Sequence, residues 1–468
     1  MRFSLVGEPW IPVLTETGMD TRGLAGLFAP DVIAVACGDD LEDTAVTRLA
    51  LAIQIAAVHA DVEPADWLAD HSDRFDLFDP ARPFWQNPDM ARFANTPGTL
   101  RPVISASYRY AGGKSTAVNP WHNESGIAYS YAAAARLLVV RQQFSVGGLQ
   151  PISAAAYGKA PRSARTSVAT SRPLLWLDTG RLGASLALTA SLTSDRPAGT
   201  FWFSWPDEAT PADTGAPTGV LDALTWQSRS ILLHANHVGI AEGIMICDGV
   251  RWPDLTAEQE QALIPHTLYA RKKPTDPYTV QRVHPSRVIW RQLAAMCADP
   301  ENPAGPWQAV AAQAQARWRL GGLGSYQAGI SGPLLGAFPA PRDPASLSVF
   351  LAEVTAAHQR IASVVESLSH GISEFGGYGP AIPTHTGLAV ALEPVAEQLA
   401  TGHITLEEAS AALRVAVDDR ISRAGAAMAA VRPLVAGRTA ARRIDTRRKA
   451  ENSVSPGSAS VKGAVANG

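Results

Sequence analysis

GGLGSYQAGISG, residues 321–332, is the stretch on which the reading of the chain turns. It follows Trp307 to Leu320, where Trp307, Val310, Ala314 and Trp318 fall near helical spacing. The spacing therefore predicts a loop or tight hairpin leaving a helix. Five glycines in twelve residues permit left-handed backbone and close approach to another molecule. Tyr326, Gln327 and Ala328 at the centre offer a flat ring, a flexible amide and a small side chain. That combination suits insertion into stacked bases, because an amide satisfies either donors or acceptors at a base edge. The plainer reading is a glycine-rich surface turn.

The 468 residues exceed one ordinary domain, and two or three are expected. With 46% hydrophobic and 18% charged residues, most of the chain can bury a core. A net charge of −3 is unlike that of a free-standing, nonspecific nucleic-acid binder, so any such role is local or shared with basic partners. Cys37, Cys247 and Cys297 form no CxxC pair, which argues against a disulfide framework or structural zinc and fits a reducing cytoplasm. No run of 18 or more apolar residues occurs, so a soluble, unexported chain that does not span a membrane is expected.

The expected fold class is α+β. A large mixed domain of sheets and helices (1–342) precedes a C-terminal antiparallel four-helix bundle (343–437) and a basic, disordered tail (438–468). Residues 1–15 read as strand, proline turn and strand. A helix starts near Asp40, capped by Asp40, and its apolar run Ala45–Ala60 places it at the centre of the first domain. Phe84 and Trp85 read as core anchors. A second helix covers Ser130–Phe144 and ends at Gly147-Gly148. Lys159, Arg162, Arg165 and Arg172 follow, a basic stretch that reads either as a solvated loop or as a phosphate contact. Alternation over 174–205 (Leu175, Leu177; Leu186, Leu188; Phe201, Trp202, Phe203, Trp205) predicts a sheet, with another strand at Ser230–His234. A second basic patch runs from Arg271 to Arg291. Leu347, Leu351, Val354, His358, Ile361, Val365 and Leu368 trace a bundle seam, repeated from Leu388 and from Leu413.

Catalytic signatures are absent from the sequence: no GxSxG, no HExxH and no supported carboxylate pair. Gly113-Lys114-Ser115 invites a phosphate-loop reading and hence an NTPase. The motif lacks its first glycine, where Tyr108 stands, and Val118-Asn119-Pro120 breaks the helix it needs. His234, His237 and Cys247 have metal-like spacing without a second pair. Neither a metal nor a cofactor is expected, and an enzyme is not the favoured class.

Taken in order, Glu8-Pro9-Trp10-Ile11-Pro12-Val13, Pro83-Phe84-Trp85-Gln86, Phe144-Ser145-Val146-Gly147-Gly148, His284-Pro285-Ser286-Arg287-Val288-Ile289-Trp290-Arg291 and the 321–332 hairpin resemble one family. It is the CasA large subunit of the type I-E CRISPR Cascade surveillance complex, and the matches spread over most of the chain. The resemblance implies a non-catalytic, cytoplasmic subunit in antiviral defence that inspects a short motif, the PAM, in double-stranded DNA. It implies a wedge at Tyr326-Gln327-Ala328, with Gln327 prying the duplex open to start the R-loop. It further implies a glycine loop at Val146, Gly147 and Gly148, a lysine finger at Lys272 or Lys273, and a loop touching the crRNA 5′ handle at Asn119, His122 and Asn123. Implied partners are the backbone, handle-binding and small subunits, the crRNA, the target duplex and a helicase–nuclease. The chain departs from the family pattern at Tyr326, often asparagine, in its thinner glycine loop, and in retaining only Cys247 of a CxxC pair found in some members. An architectural subunit that ignores DNA sequence is the competing reading.

Overall fold

The structure, a computed structural model, describes residues 2–109, 129–149, 163–207, 209, 213–236, 239–282, 289–326, 329–373 and 384–422. In chain order the elements are β1 (Ile11–Thr15), β2 (Gly18–Arg22), β3 (Val32–Val35), α1 (Asp40–Ala60) and α2 (Pro64–Asp70). Next come β4 (Tyr129–Ser130), α3 (Tyr131–Gln143), β5 (Gly148–Leu149), β6 (Ser163–Ala164), the short α4 (Val168–Ser171), β7 (Leu174–Asp178) and α5 (Leu182–Ser191). They are followed by α6 (Val220–Thr225), β8 (Arg229–Ala235), β9 (Ile240–Asp248), α7 (Ala257–Leu263), β10 (Tyr269–Ala270) and β11 (Thr279–Val280). The last are α8 (Ile289–Cys297), α9 (Gly305–Gln313), β12 (Arg317–Tyr326), β13 (Gly329–Pro339), α10 (Pro344–Ser373) and α11 (Thr384–Ala400). Residues 406–422 are also helical. The fold is α+β, as expected.

Two compact units result, one from Met1–Leu351 with Glu393–Leu406, the other from Ala352–Leu392 with Glu407 onward. In the first, α1 lies at the centre and touches α2, α3, α5, α6 and both strands of the β12–β13 hairpin. Around it stand three sheets of three strands, ordered β2-β1-β3, β13-β12-β7 and β4-β9-β8. In the second, Val354, Ile361, Leu388, Leu392, Leu413 and Val417 are buried. His358 is buried there too, its ring Nδ1 3.0 Å from the Val354 carbonyl, a polar core residue as its place in the seam suggested. No single described helix is long and apolar enough to cross a membrane.

α1 begins where expected, but its cap is Asp39 rather than Asp40. Asp39 is extended (φ −142°, ψ 119°), so its carboxylate reaches back to accept from the N–H groups of Leu41 and Glu42. Phe84 and Trp85 are core anchors, as read. α3 matches its prediction within a residue, capped by Ser130.

Three further expectations differ from the structure. Near the N-terminus only Ile11–Thr15 forms a strand; Ser4 makes a single bridge to Asp76. In 174–205 only Leu174–Asp178 is a strand. Leu182, Leu186 and Ala190, spaced by four, instead form the buried stripe of α5. Phe201 and Phe203 pack in an aromatic cluster with Trp67 and Phe75, so ring contacts rather than a ladder explain those apolar residues.

The third difference concerns the approach to 321–332. α9 stops at Gln313, Gln315 takes a left-handed turn (φ 51°), and Trp318 and Leu320 are already in β12. Gly321, Gly322 and Gly324 therefore sit within a strand, where close packing rather than turning explains them. A Cβ at Gly321 would lie 2.4 Å from Thr44 Oγ1 on α1, and one at Gly336 would lie 2.7 Å from Ile289 Cγ2 on α8. The hairpin can press against the central helix at Gly321, and against α8 at Gly336, only without these side chains.

Gly321→Ala is expected to cost about 1–3 kcal/mol by overpacking and to lower the thermal midpoint. Adding Thr44→Ala should recover at least half of that loss. A wild-type midpoint for Gly321→Ala alone would contradict the contact.

Candidate nucleic-acid interface

β12 is backed by β7 only over Arg317–Gly321, paired with Asp178–Leu174. The next five residues pair with β13 alone among the described strands, a ribbon of about 16 Å at the usual rise. The ladder shifts between Gly324 and Ser325: Gly324 faces Gly332 and Ser325 faces Ile330, leaving Ser331 as the extra residue of a bulge. Gly332 absorbs the kink at φ 124°. Leu323 is buried in the main core, and Ile330 and Leu335 pack against it, so the ribbon rests on the core almost to its end. The last pair is Tyr326↔Gly329. Gln327 and Ala328, which join the strands, lie outside the described residues.

Beside the stem, a cleft of about 130 Å³ is lined by Asp43, Thr44, Thr47, Trp176, Asp178 and Arg319, among others. Arg319 Nε donates to Asp178 at 2.6 Å. Asp43 accepts from the Cys37 backbone N–H at 2.6 Å, yet burial pushes its carboxyl up to about 6.

The expected glycine loop leaves α3 through Ser145, which has no exposed surface. The Ser145 N–H donates to Ser167 Oγ (3.2 Å), and the Ser167 N–H donates to the Ser145 carbonyl (2.8 Å). Gly148 (φ 149°) pairs with Ala164, and a Cβ at Gly147 would lie 3.0 Å from the Ala164 carbonyl. Buried Arg229 grips the chain just before β5 and just after β6, donating to the carbonyls of Val146 (2.8 Å) and Arg165 (2.9 Å). Gln142 fixes Arg229 in turn, donating to its carbonyl at 2.7 Å and accepting from its N–H at 3.0 Å. Sequence reasoning missed Arg229 and Gln142. The available signal was a charge in phase with Ile231 and Leu233 on the buried face of a strand.

Lys272 and Lys273 are exposed in the turn between β10 and β11. Arg271 is not available as a finger: it pairs with Asp299 (3.3 Å) and Glu301 (2.7 Å) and covers the Tyr278 ring at 4.7 Å. It anchors the turn that carries the two lysines.

Asn119, His122, Asn123 and Gly113-Lys114-Ser115 lie outside the described residues, as do Lys159 and Arg162. The flanks of 110–128 both reach the start of α1. The Tyr108 hydroxyl donates to Asp39 at 2.6 Å, Arg109 pairs with the same carboxylate, and Arg136, on the far flank, pairs with Glu42 at 3.0 Å. Arg165 is paired with Asp254 at an exposed position, in keeping with a solvated loop, whereas Arg172 is covered and paired with Glu260. His234 and Cys247 do not meet. His234 faces Gly243 across the ladder while Cys247 faces Ser230, four residues and about 13 Å along the strand.

One segment, 163–178, ties the three described elements together. Ala164 pairs with Gly148, Pro173 packs under Gly322, and Leu174–Asp178 pair with the hairpin stem. The Thr267 hydroxyl donates to the Pro173 carbonyl (2.7 Å) and the Leu175 N–H to the His266 carbonyl (3.1 Å), just ahead of the lysine turn.

These features define a class: an α+β protein that joins a long glycine-packed hairpin and two loops through one shared segment of backbone. The family model for CRISPR-associated protein Cse1 matches residues 4–376, and the chain belongs to that family, the one its motifs resemble. A CRISPR-associated protein CasA/Cse1 of Thermus thermophilus is 28% identical over 330 residues, 63% of this chain and 60% of that relative. The chain thus spans less than two thirds of that relative's length. The crystal structure of Thermus thermophilus CasA superposes with a TM-score of 0.66 at 20% identity, over 92% of this chain and 94% of that one. A chain of a CRISPR RNA-guided surveillance complex does so with a TM-score of 0.67 at 15% identity, over 91% and 99%.

In the folded chain Asp43 keeps its proton up to about pH 6, against an ordinary 3.8. Between those values the folded state binds more protons than the unfolded one, so stability falls as pH rises through that window. An asparagine at this position would still accept from Cys37 but would not titrate. Asp43→Asn should therefore lose less melting temperature than wild type between about pH 4 and pH 6. Parallel pH profiles for the two proteins would contradict the assignment.

Proposed function

We propose that the chain is the large, non-catalytic subunit of a type I-E RNA-guided surveillance complex and opens duplex DNA beside a short flanking motif. Family membership supports the setting. The observation that carries the mechanism is the hairpin: a ribbon seated by Gly321 on α1 and by Gly336 on α8, buried through Leu323 and kinked by a bulge just before Tyr326. A wedge must be stiff, because unstacking one base step costs a few kcal/mol. A pliant loop would bend away instead.

In this reading Gln327 enters beneath the motif, with Tyr326 and Ala328 beside it. Gly147 and Gly148 bring backbone to the minor groove, where Val146 is held from below, and Lys272 or Lys273 reaches into the same groove. Minor-groove reading separates A·T from G·C and little more, so several motifs are accepted. Strand exchange with the guide is nearly balanced, and the wedge contributes where it matters, at the first step. The loop carrying Asn119, His122 and Asn123 contacts the guide's 5′ handle, and the opened complex recruits the helicase–nuclease. The chain itself turns over no substrate.

The test is the reconstituted complex with Gln327→Ala. It should assemble normally and bind a target whose first base pairs are pre-melted as wild type does, while opening an intact duplex at least about tenfold more slowly, the equivalent of ~1.4 kcal/mol. Wild-type opening of intact duplex would remove the wedge and leave an architectural subunit.

A further inference from the structure

A small cavity inside the first unit has walls whose charge does not balance. It measures about 10 Å³, room for one water-sized particle, and is lined by Arg48 of α1, Arg172 after α4, His266 after α7 and apolar residues between them. Arg48 is 3% exposed; its Nη2 donates to the Ala223 carbonyl, and its guanidinium has no other partner among the described residues. Arg172 gives both Nε (3.1 Å) and Nη2 to one oxygen of Glu260, so that carboxylate is already engaged. His266 is also 3% exposed. Its Nε2 lies 3.2 Å from the Thr193 hydroxyl, and its Nδ1 is buried without a partner.

The two lining guanidiniums have one carboxylate between them, and burial keeps the imidazole neutral by lowering it to about 3. One positive charge is left over. The neighbouring ionic groups do not cancel it. Arg196, outside the lining, adds a charge of the same sign and spends its Nη1 on the carbonyls of Gln261 (2.7 Å) and Ala262 (3.3 Å). Asp222, beside Ala223 on α6, is occupied by the N–H groups of Thr200, Thr218 and Gly219 and by the Trp202 indole, at 2.8–3.1 Å. A buried charge without a counter-ion costs several kcal/mol. A water molecule in the cavity satisfies donors but leaves that charge in place, whereas a monovalent anion does both.

We infer that this cavity binds one monatomic anion of chloride's size, held by the Arg48 guanidinium and the His266 Nδ1–H, with Arg172 beside it. The cavity is too small for phosphate, sulfate or a carboxylate, and guanidinium groups offer only N–H donors, which excludes a metal cation. In this arrangement the imidazole proton sits on Nδ1 and the Thr193 hydroxyl donates to Nε2. Arg172 and Glu260, 17% and 16% exposed, form the side nearest solvent. The ion ties α1 to the strand behind the hairpin, because the His266 carbonyl accepts from the Leu175 N–H of β7 at 3.1 Å. The site is independent of the function proposed above.

The test is the thermal midpoint of the full chain as gluconate, too large for the cavity, is replaced by chloride at constant ionic strength. A saturating rise of about 2 °C or more is expected, complete below roughly 0.1 M chloride. Arg48→Met replaces the charge with an apolar side chain and should abolish the response. His266→Leu keeps the charge but removes the Nδ1 donor, and should raise the half-saturating chloride concentration about tenfold. Wild-type crystals grown in bromide should show anomalous scattering between Arg48 and His266, which decides the matter should either variant fail to fold. A flat chloride titration, or a cavity without bromide, would overturn the site in favour of a buried water. So would a wild-type chloride response in Arg48→Met, or nitrogen NMR placing the ring proton of His266 on Nε2.

Discussion

Everything in the first unit is arranged by the burial of α1. Leu41, Leu49, Leu51, Ile53 and Ile55 are almost wholly removed from water, and each such side chain contributes about 1.5–3 kcal/mol. Against that stands Arg48, buried on the same helix, its guanidinium donating to the Ala223 carbonyl and lowered to about 9 by burial. The burial of one charge costs several kcal/mol, so the apolar faces win. A helix apolar all round needs neighbours on every side, and the hairpin is one of them. Because Gly321 has no side chain, hairpin backbone lies directly on the Thr44 side chain.

That seating converts a feature of the core into a property of the surface. A β-ribbon paired only with itself is marginal in water. Here its stem is backed by β7, its middle is held by Leu323 in the core, and only its end is left over. The glycine loop and the lysine turn are supported comparably, each by a buried or half-buried arginine at its base. Arg229 binds carbonyls that flank the loop's two strands, and Arg271 binds Asp299 and Glu301 beneath its turn. Conformational entropy is thereby spent on folding, leaving less to be lost when a partner arrives.

The sequence was informative where local physics decides the structure. The apolar run of α1, the alanine-rich α3 and the seam from Leu347 each follow a period that tertiary contacts had no reason to override. It misled where one pattern serves two structures. Leu186 and Leu188 fit a strand until α5 shows the four-residue spacing of Leu182, Leu186 and Ala190. Trp318 completes a helical repeat with Trp307 although Gln315 has already turned the chain. The glycines of 321–332 were legible as a demand for close approach, but not as a demand made by Thr44, which is some 280 residues away. The phase of Arg229 with Ile231 and Leu233 was legible, but the role of Arg229 and Gln142 was not, because it is set by the backbone carbonyls they reach. Sequence spacing carries no trace of such partners.

The central claim is that the hairpin is a rigid extension of the core rather than a surface loop. Amide hydrogen exchange measures this directly. The account predicts that the β12 amides from Arg319 to Leu323 exchange as slowly as those in the middle of α1, with fast exchange confined to the residues around Tyr326 and Gly329. Exchange of Arg319–Leu323 at the rate of an exposed turn, while α1 remains protected, would contradict it.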